Sequence, residues 1–213
     1  MLQKYNNDLN SIIPQDALEI LLAGNQRFIN GISVNKDLLS KVEITGNSQK
    51  PFAAILSCMD SRAPVELLFD QGIGDVFSVR MAGNVTSENV LGSLEYATGV
   101  VGSKLLMVMG HTNCGAIKGA IDKVELGNLT QLLDKIQPAV EAACSNGHEN
   151  CTSADKDYVN AVSEQNVRNV KQSILDQSPI IRDLVKEGKV LLVGAMYDVE
   201  TGTVSVLESN FVV

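Results

Sequence analysis

Short, unbroken apolar runs punctuate the chain at Phe52-Ala53-Ala54-Ile55-Leu56, Val76-Phe77-Ser78-Val79, Leu105-Leu106-Met107-Val108-Met109 and Val190-Leu191-Leu192-Val193-Gly194-Ala195. Runs of this length without polar alternation are what strands covered on both faces require. Thr203-Val204-Ser205-Val206-Leu207, after the Thr201-Gly202 turn, predicts an edge strand. Between the runs, apolar residues recur at helical spacing over 15–29, 87–99, 115–125, 129–144, 155–175 and 179–187. Strands alternating with helices predict an α/β fold, a mainly parallel central β-sheet of four to five strands flanked by helices. No internal repeat or linker divides the chain, and the polar stretch from Ser145 to Asp157 reads as a surface loop, so residues 1–213 are expected to form a single domain.

Composition narrows the functional classes. With 45% hydrophobic and 20% charged residues the chain is an ordinary globular sequence. Its net charge of −8 opposes nucleic acid and anionic membrane surfaces, which are held by clusters of Lys and Arg. No apolar run reaches the roughly 20 residues that span a bilayer. The start, Met1 to Asp8, is too polar for a signal peptide, so a cytoplasmic protein acting on small molecules or on itself is expected.

The chemistry is concentrated in Cys58-Met59-Asp60-Ser61-Arg62 and His111-Thr112-Asn113-Cys114-Gly115. Taken singly, a buried Cys is a small core hydrophobe. Together, Cys58, His111 and Cys114 form a soft donor set of two thiols and one imidazole that favours Zn²⁺, one ion per chain, over copper or iron. Three protein ligands instead of four leave a position open, as catalytic sites do. Both motifs begin where a predicted strand ends, which puts them at the carboxyl edge of the sheet, where open α/β folds bind ligands. Cys114 also stands at the mouth of the helix expected from Gly115, whose positive end should lower its thiol pKa. Gly115, lacking a Cβ, lets the backbone approach the pocket closely.

The pattern C-x-D-x-R followed by H-x-x-C-G resembles the beta-class carbonic anhydrases, and the resemblance extends from the first amphipathic helix to the last strand. It implies reversible hydration of carbon dioxide to bicarbonate by attack of zinc-bound hydroxide, with Asp60 and Arg62 as the orienting dyad and Cys58, His111 and Cys114 as metal ligands. In some members the Asp swings onto the zinc and closes the site, so Asp60 is a candidate fourth ligand. Without that context the Asp60–Arg62 pair is a surface ion pair of little energetic worth. Gln49, Phe77 and Tyr96 match the substrate pocket of the plant-type branch, to which a neighbouring subunit contributes; alone, Phe77 is strand core and Tyr96 an ordinary helix residue. Arg80-Met81-Ala82-Gly83-Asn84 resembles the family segment after the second strand, and is otherwise a turn. Ile55 stands where the bicarbonate-regulated branch has Trp, which argues against that regulatory site here.

The family also implies self-association. The helix at about 15–29 carries Ala17, Leu18, Ile20, Leu21, Leu22 and Phe28, more apolar surface than one sheet edge readily covers, and is expected to dimerise the chain, with pairing of dimers into a tetramer as the further option. Two other readings share the scaffold: a carbon disulfide or carbonyl sulfide hydrolase, and a non-catalytic zinc-thiolate sensor closed by Asp60. Cys144 and Cys151 flank His148 as a disulfide, as free thiols or, less readily, as a second metal cluster. A disulfide would favour an oxidising compartment such as the periplasm. His148 reads as a solvated loop residue and not as a proton shuttle.

Overall fold

The computed structural model describes residues 12–34, 37–145, 148 and 150–209. The polar start read as lacking a signal peptide lies outside the described residues. Five strands form one sheet in the order β2-β1-β3-β4-β5. β1 (Ala53–Ser57), β2 (Val76–Arg80), β3 (Leu105–His111) and β4 (Leu191–Tyr197) run parallel. β5 (Val204–Ser209) joins β4 antiparallel through the turn at Thr201-Gly202, as the edge strand expected there. β1, β3 and β4 are buried along their whole length, which explains their lack of alternation.

Each face of the sheet is covered by helices. One face, with Ala53, Ile55, Leu105, Met107 and Val193, packs beneath α1 (Pro14–Ile29) and the single-turn α3 (Val65–Leu68). α1 comes so close that a Cβ on Gly24 would lie 1.8 Å from the Phe69 carbonyl oxygen, so only glycine fits. The opposite face, with Ala54, Leu56, Leu106, Val108 and Leu192, meets α4 (Glu88–Glu95), α8 (Lys156–Gln177) and α9 (Pro179–Lys186). Ser87, Asp155 and Ser178 start these helices by accepting backbone N–H bonds at their N-caps.

The helices differ from the expected pattern at three points. The helix expected over 129–144 is two helices, α6 (Gly127–Asp134) and α7 (Gln137–Ser145), after the short α5 (Gly115–Ile121). Pro138 lies in the first turn of α7, where its missing N–H costs nothing; inside a continuous helix its ring would strike the carbonyl of Asp134. The helix α2 (Leu38–Thr45), which buries none of its side chains against the chain's own core, was not expected. Finally, Ala17, Leu18, Ile20 and Leu21 of α1 are covered by the chain's own core. The uncovered apolar surface lies further on, at Phe28, Ile32 and Val34 and along α2 at Leu39, Val42 and Ile44.

Candidate metal centre

Cys58 follows the last residue of β1, His111 ends β3, and Cys114 is the N-cap of α5, so the parallel register delivers all three to the carboxyl edge of the sheet. Their ligand atoms lie within 4.8 Å of one another, and all three residues are buried. The two sulfurs are 4.0 Å apart. His111 Nδ1 donates to the Thr112 carbonyl oxygen at 2.9 Å, which leaves Nε2 as the lone-pair nitrogen. That Nε2 is buried and has no hydrogen-bond partner among the described residues. An orphaned acceptor beside two thiols fits a soft cation and is costly otherwise.

The charges point the same way. The hydrogen bond from Cys114 brings the Cys58 thiol down to about 4, helped by His111 and by the backbone N–H groups of Asp60 and Gly83. Cys114 moves in the opposite direction from the one expected at a helix mouth. It gives the hydrogen bond to Cys58, is buried, and faces the charge already on Cys58, and these outweigh the backbone contacts from Ile117 and Ala116. Burial and the mutual repulsion of the two sulfurs thus oppose ionising both at once, and a cation between them removes that opposition.

Asp60 stands at the rim, its Oδ2 3.9 Å from His111 Nε2. Arg62 holds both of its oxygens, Nε donating to Oδ1 at 2.9 Å and Nη2 to Oδ2 at 2.8 Å, while the Arg62 backbone N–H adds a bond to Oδ1 at 2.9 Å. This fork keeps the carboxyl well below the usual carboxylate range. Arg62 Nη2 also reaches the Asn113 carbonyl at 3.4 Å, tying the dyad to the second motif. Arg80, seen in the sequence only as part of a turn, donates to the carbonyls of Cys58 and Asp60 and so braces the loop that carries both. Behind the sulfurs, Val85, Ile117, Ile136 and Val159 form a buried apolar cluster with Cys58 and Cys114.

The remaining site candidates separate from this centre within one chain. Phe77 pairs in register with Ala54, four residues before Cys58, and so lies about 13 Å down the strand. It meets Tyr96 edge-on, ring centroids 6.1 Å apart, beside a cavity of about 530 Å³ on the outer strand β2. Gln49 is exposed in the segment leading into β1. Gly115 is exposed at the start of α5, and a Cβ there would meet nothing within 4 Å, so the chain itself does not crowd this position as expected. Cys144 and Cys151 are joined in a disulfide. That bond excludes the second metal cluster in this state, and His148 packs edge-on against Tyr158 at 5.5 Å. No described helix is long and apolar enough to cross a membrane.

A family model for carbonic anhydrase matches residues 53–204. The chain is 31% identical over 198 residues to carbonic anhydrase 2 of Mycobacterium tuberculosis, covering 89% of this chain and 90% of that one. It is 32% identical over 198 residues to a carbonic anhydrase of Mycolicibacterium smegmatis, covering 90% and 92%. Among solved structures, the Coccomyxa beta-carbonic anhydrase in complex with acetazolamide superposes with a TM-score of 0.72 at 26% identity, over 90% of this chain and 87% of that one. A tetrameric beta-carbonic anhydrase of Sordaria macrospora shares the fold, with a TM-score of 0.71 at 21% identity, over 92% of this chain and 100% of that one.

Proposed function

Because the chain belongs to the beta-class carbonic anhydrases, we propose that it is a zinc-dependent carbonate dehydratase that converts carbon dioxide reversibly to bicarbonate and a proton. The observation that carries the reading is the buried cluster of Cys58, His111 and Cys114 with its orphaned Nε2. Zinc on this donor set supplies the Lewis acidity that brings the pKa of water toward neutrality.

The protein's own groups then have distinct tasks. Arg62 keeps Asp60 ionised and fixed in direction, so that a carboxylate lone pair accepts a hydrogen bond from the nucleophile and turns its own lone pair toward the substrate carbon. The fork from Arg62 makes Asp60 too acidic to keep a proton, so it orients and the released proton goes to solvent. The apolar cluster behind the sulfurs excludes water on the side away from substrate. The space at Gly115 leaves room for a substrate oxygen.

Self-association completes the proposal. Gln49, Phe77 and Tyr96 serve as pocket residues for a neighbouring subunit's centre in a homodimer, with a tetramer as its pairing. Exposed Leu39 and Ile44 of α2 and the free edge of β2 supply the surface. The sensor reading is disfavoured by the engagement of both Asp60 oxygens with Arg62, since permanent closure needs one of them on the metal. For location, the choice lies between the cytoplasm and an oxidising compartment such as the periplasm, and the Cys144–Cys151 disulfide favours the second. Trapping thiols in intact cells and finding two or all four cysteines alkylated separates the two.

The test is zinc content beside carbon dioxide hydration for the wild type and for Cys58→Ala, His111→Ala and Cys114→Ala. About one zinc per chain in the wild type, with metal and activity lost together in the variants, is the expected result. Unchanged zinc in all three variants overturns the ligand assignment. A zinc-loaded wild type that turns over carbonyl sulfide but not carbon dioxide transfers the scaffold to the hydrolase reading.

A further inference from the structure

α8 carries three polar side chains at successive three-residue steps on its inward side, Asn160, Ser163 and Asn166. Ser163 and Asn166 are 2% and 1% exposed, in a helix whose other buried residues are Tyr158, Val159, Val162, Val167, Val170, Lys171 and Ile174. Burying polar groups at core positions is costly unless each has a specific partner. Each has one, and each partner is backbone of the metal centre. Asn160 Oδ1 accepts from the Asn113 N–H at 3.1 Å. Ser163 Oγ donates to the His111 carbonyl at 3.1 Å. Asn166 Nδ2 donates to the Gly83 carbonyl at 2.8 Å.

The three partners map onto the three ligands. Asn113 directly precedes Cys114 and holds a left-handed backbone, φ 55°. His111 is itself a ligand. Gly83, also left-handed at φ 63°, belongs to the segment that is tied beside Cys58 by the Met81 N–H bond to the Ser57 carbonyl at 2.9 Å. Glycine adopts such a backbone freely, whereas in Asn113 it is locally unfavourable and persists where surrounding contacts over-determine it. Asn113 is in addition the residue whose carbonyl meets Arg62.

We propose that Asn160, Ser163 and Asn166 are positioning residues: one face of α8 holds the backbone beside each of Cys58, His111 and Cys114 and thereby sets the preformed spacing of the metal site. The stripe touches neither metal nor substrate. It fixes the peptide planes from which the ligands project, so its loss is felt as slower capture and faster escape of the ion. The inference rests on the reading of the trio as a zinc site.

The experiment measures zinc release from the full-length zinc-loaded protein to an excess of a chromogenic chelator. Asn160→Ala and Ser163→Ala should release zinc about 10–100-fold faster than the wild type, the range seen when groups supporting metal ligands are removed. Asn160→Asp keeps the accepting oxygen and should restore near-wild-type release. Val170→Ala, on the same helix but packed in the apolar cluster of the opposite sheet face, should lower the melting temperature and leave release unchanged. Wild-type release in both Asn160→Ala and Ser163→Ala overturns the inference, as does a Val170→Ala protein that loses zinc as fast as they do. A wild type that binds no zinc defeats the metal-site reading instead, so the two failures are distinguishable.

Discussion

Gly110 is where the sheet, α8 and the metal centre press on one another most closely. A Cβ added there would lie 2.8 Å from Met196 Sδ, 2.8 Å from Val167 Cγ2 and 3.1 Å from Ser163 Oγ. Met196 can swing its thioether aside. Val167 cannot, because a β-branched side chain in a helix has essentially one χ1 rotamer, so Gly110→Ala must lift α8 from β3. Overpacking of a dense core costs about 1–3 kcal/mol, and a rigid obstruction belongs at the upper end. Lifting α8 also stretches the Ser163 bond to His111, worth about 1 kcal/mol net. The sum, about 3–4 kcal/mol, corresponds to a fall of roughly 10 °C in melting temperature for a domain of this size.

Differential scanning calorimetry of the metal-free protein isolates this loss from any change in zinc binding. Gly194→Ala probes the same helix from β4, its Cβ 2.9 Å from Val167 Cγ1 and 3.0 Å from Lys171 Cδ. Once α8 has been lifted by one substitution the second meets less resistance. The double variant should therefore lose less than the sum of the singles, by about 0.5 kcal/mol or more. A Gly110→Ala protein melting within about 2 °C of the wild type, or strict additivity in the double variant, refutes the picture of α8 as a rigid lid on β3 and β4.

Asp60→Asn and Arg62→Ala should retain zinc and lose about 10–100-fold in carbon dioxide hydration; normal turnover in both would remove the dyad from the mechanism. The Arg62 fork depresses the Asp60 pKa, so its stabilisation is present above the unfolded value near 4 and is lost as pH falls through the lower folded value. Acid titrations followed by circular dichroism should thus find Arg62→Ala less stable than the wild type at pH 6, with the gap closing below about pH 3. Reducing the Cys144–Cys151 disulfide, which spans a sequence separation of 7, should cost about 2.5 kcal/mol in the chain-entropy model, read as a lower urea midpoint in phosphine reductant; an unmoved midpoint means the bond is not formed in solution. Leu39→Glu combined with Ile44→Glu should shift the sedimentation coefficient toward the monomer, because these residues are 82% and 69% exposed on α2 of the single chain; an unchanged oligomer places the interface elsewhere.

Several features were legible because they are local in sequence. The buried strands declared themselves as unbroken apolar runs, since a residue facing helices on either side has no polar option. The trio was legible because a tight turn lets residues 111 and 114 converge, and because the second motif begins, like the first, where a buried strand stops. The Asp60–Arg62 fork was legible for the same reason, its partners being two residues apart. The break at Pro138 was also written locally; the helical periodicity on either side of it obscured it.

Only the tertiary structure could decide what depends on contacts between distant segments. Asn160 and Ser163 read in sequence as ordinary polar positions of a helix, and their partners lie 47 and 52 residues away. A polar residue within an apolar stripe was the one available signal, and it does not name its partner. The direction in which each thiol moves was likewise beyond the sequence: the mouth of α5 favours the Cys114 thiolate, but the hydrogen bond with Cys58, burial and the facing charge push Cys114 up, while the bond from Cys114 brings Cys58 down. The separation of Phe77 and Tyr96 from the metal residues follows from strand register, which sets Phe77 beside Ala54 and not beside Cys58. Residue types and spacing determined the chemistry this chain can perform, because ligands need particular donor atoms. Long-range packing decided which side chains bind the backbone around those donors, because Asn160 and Ser163 come from a helix that the chain reaches only after about 50 residues more.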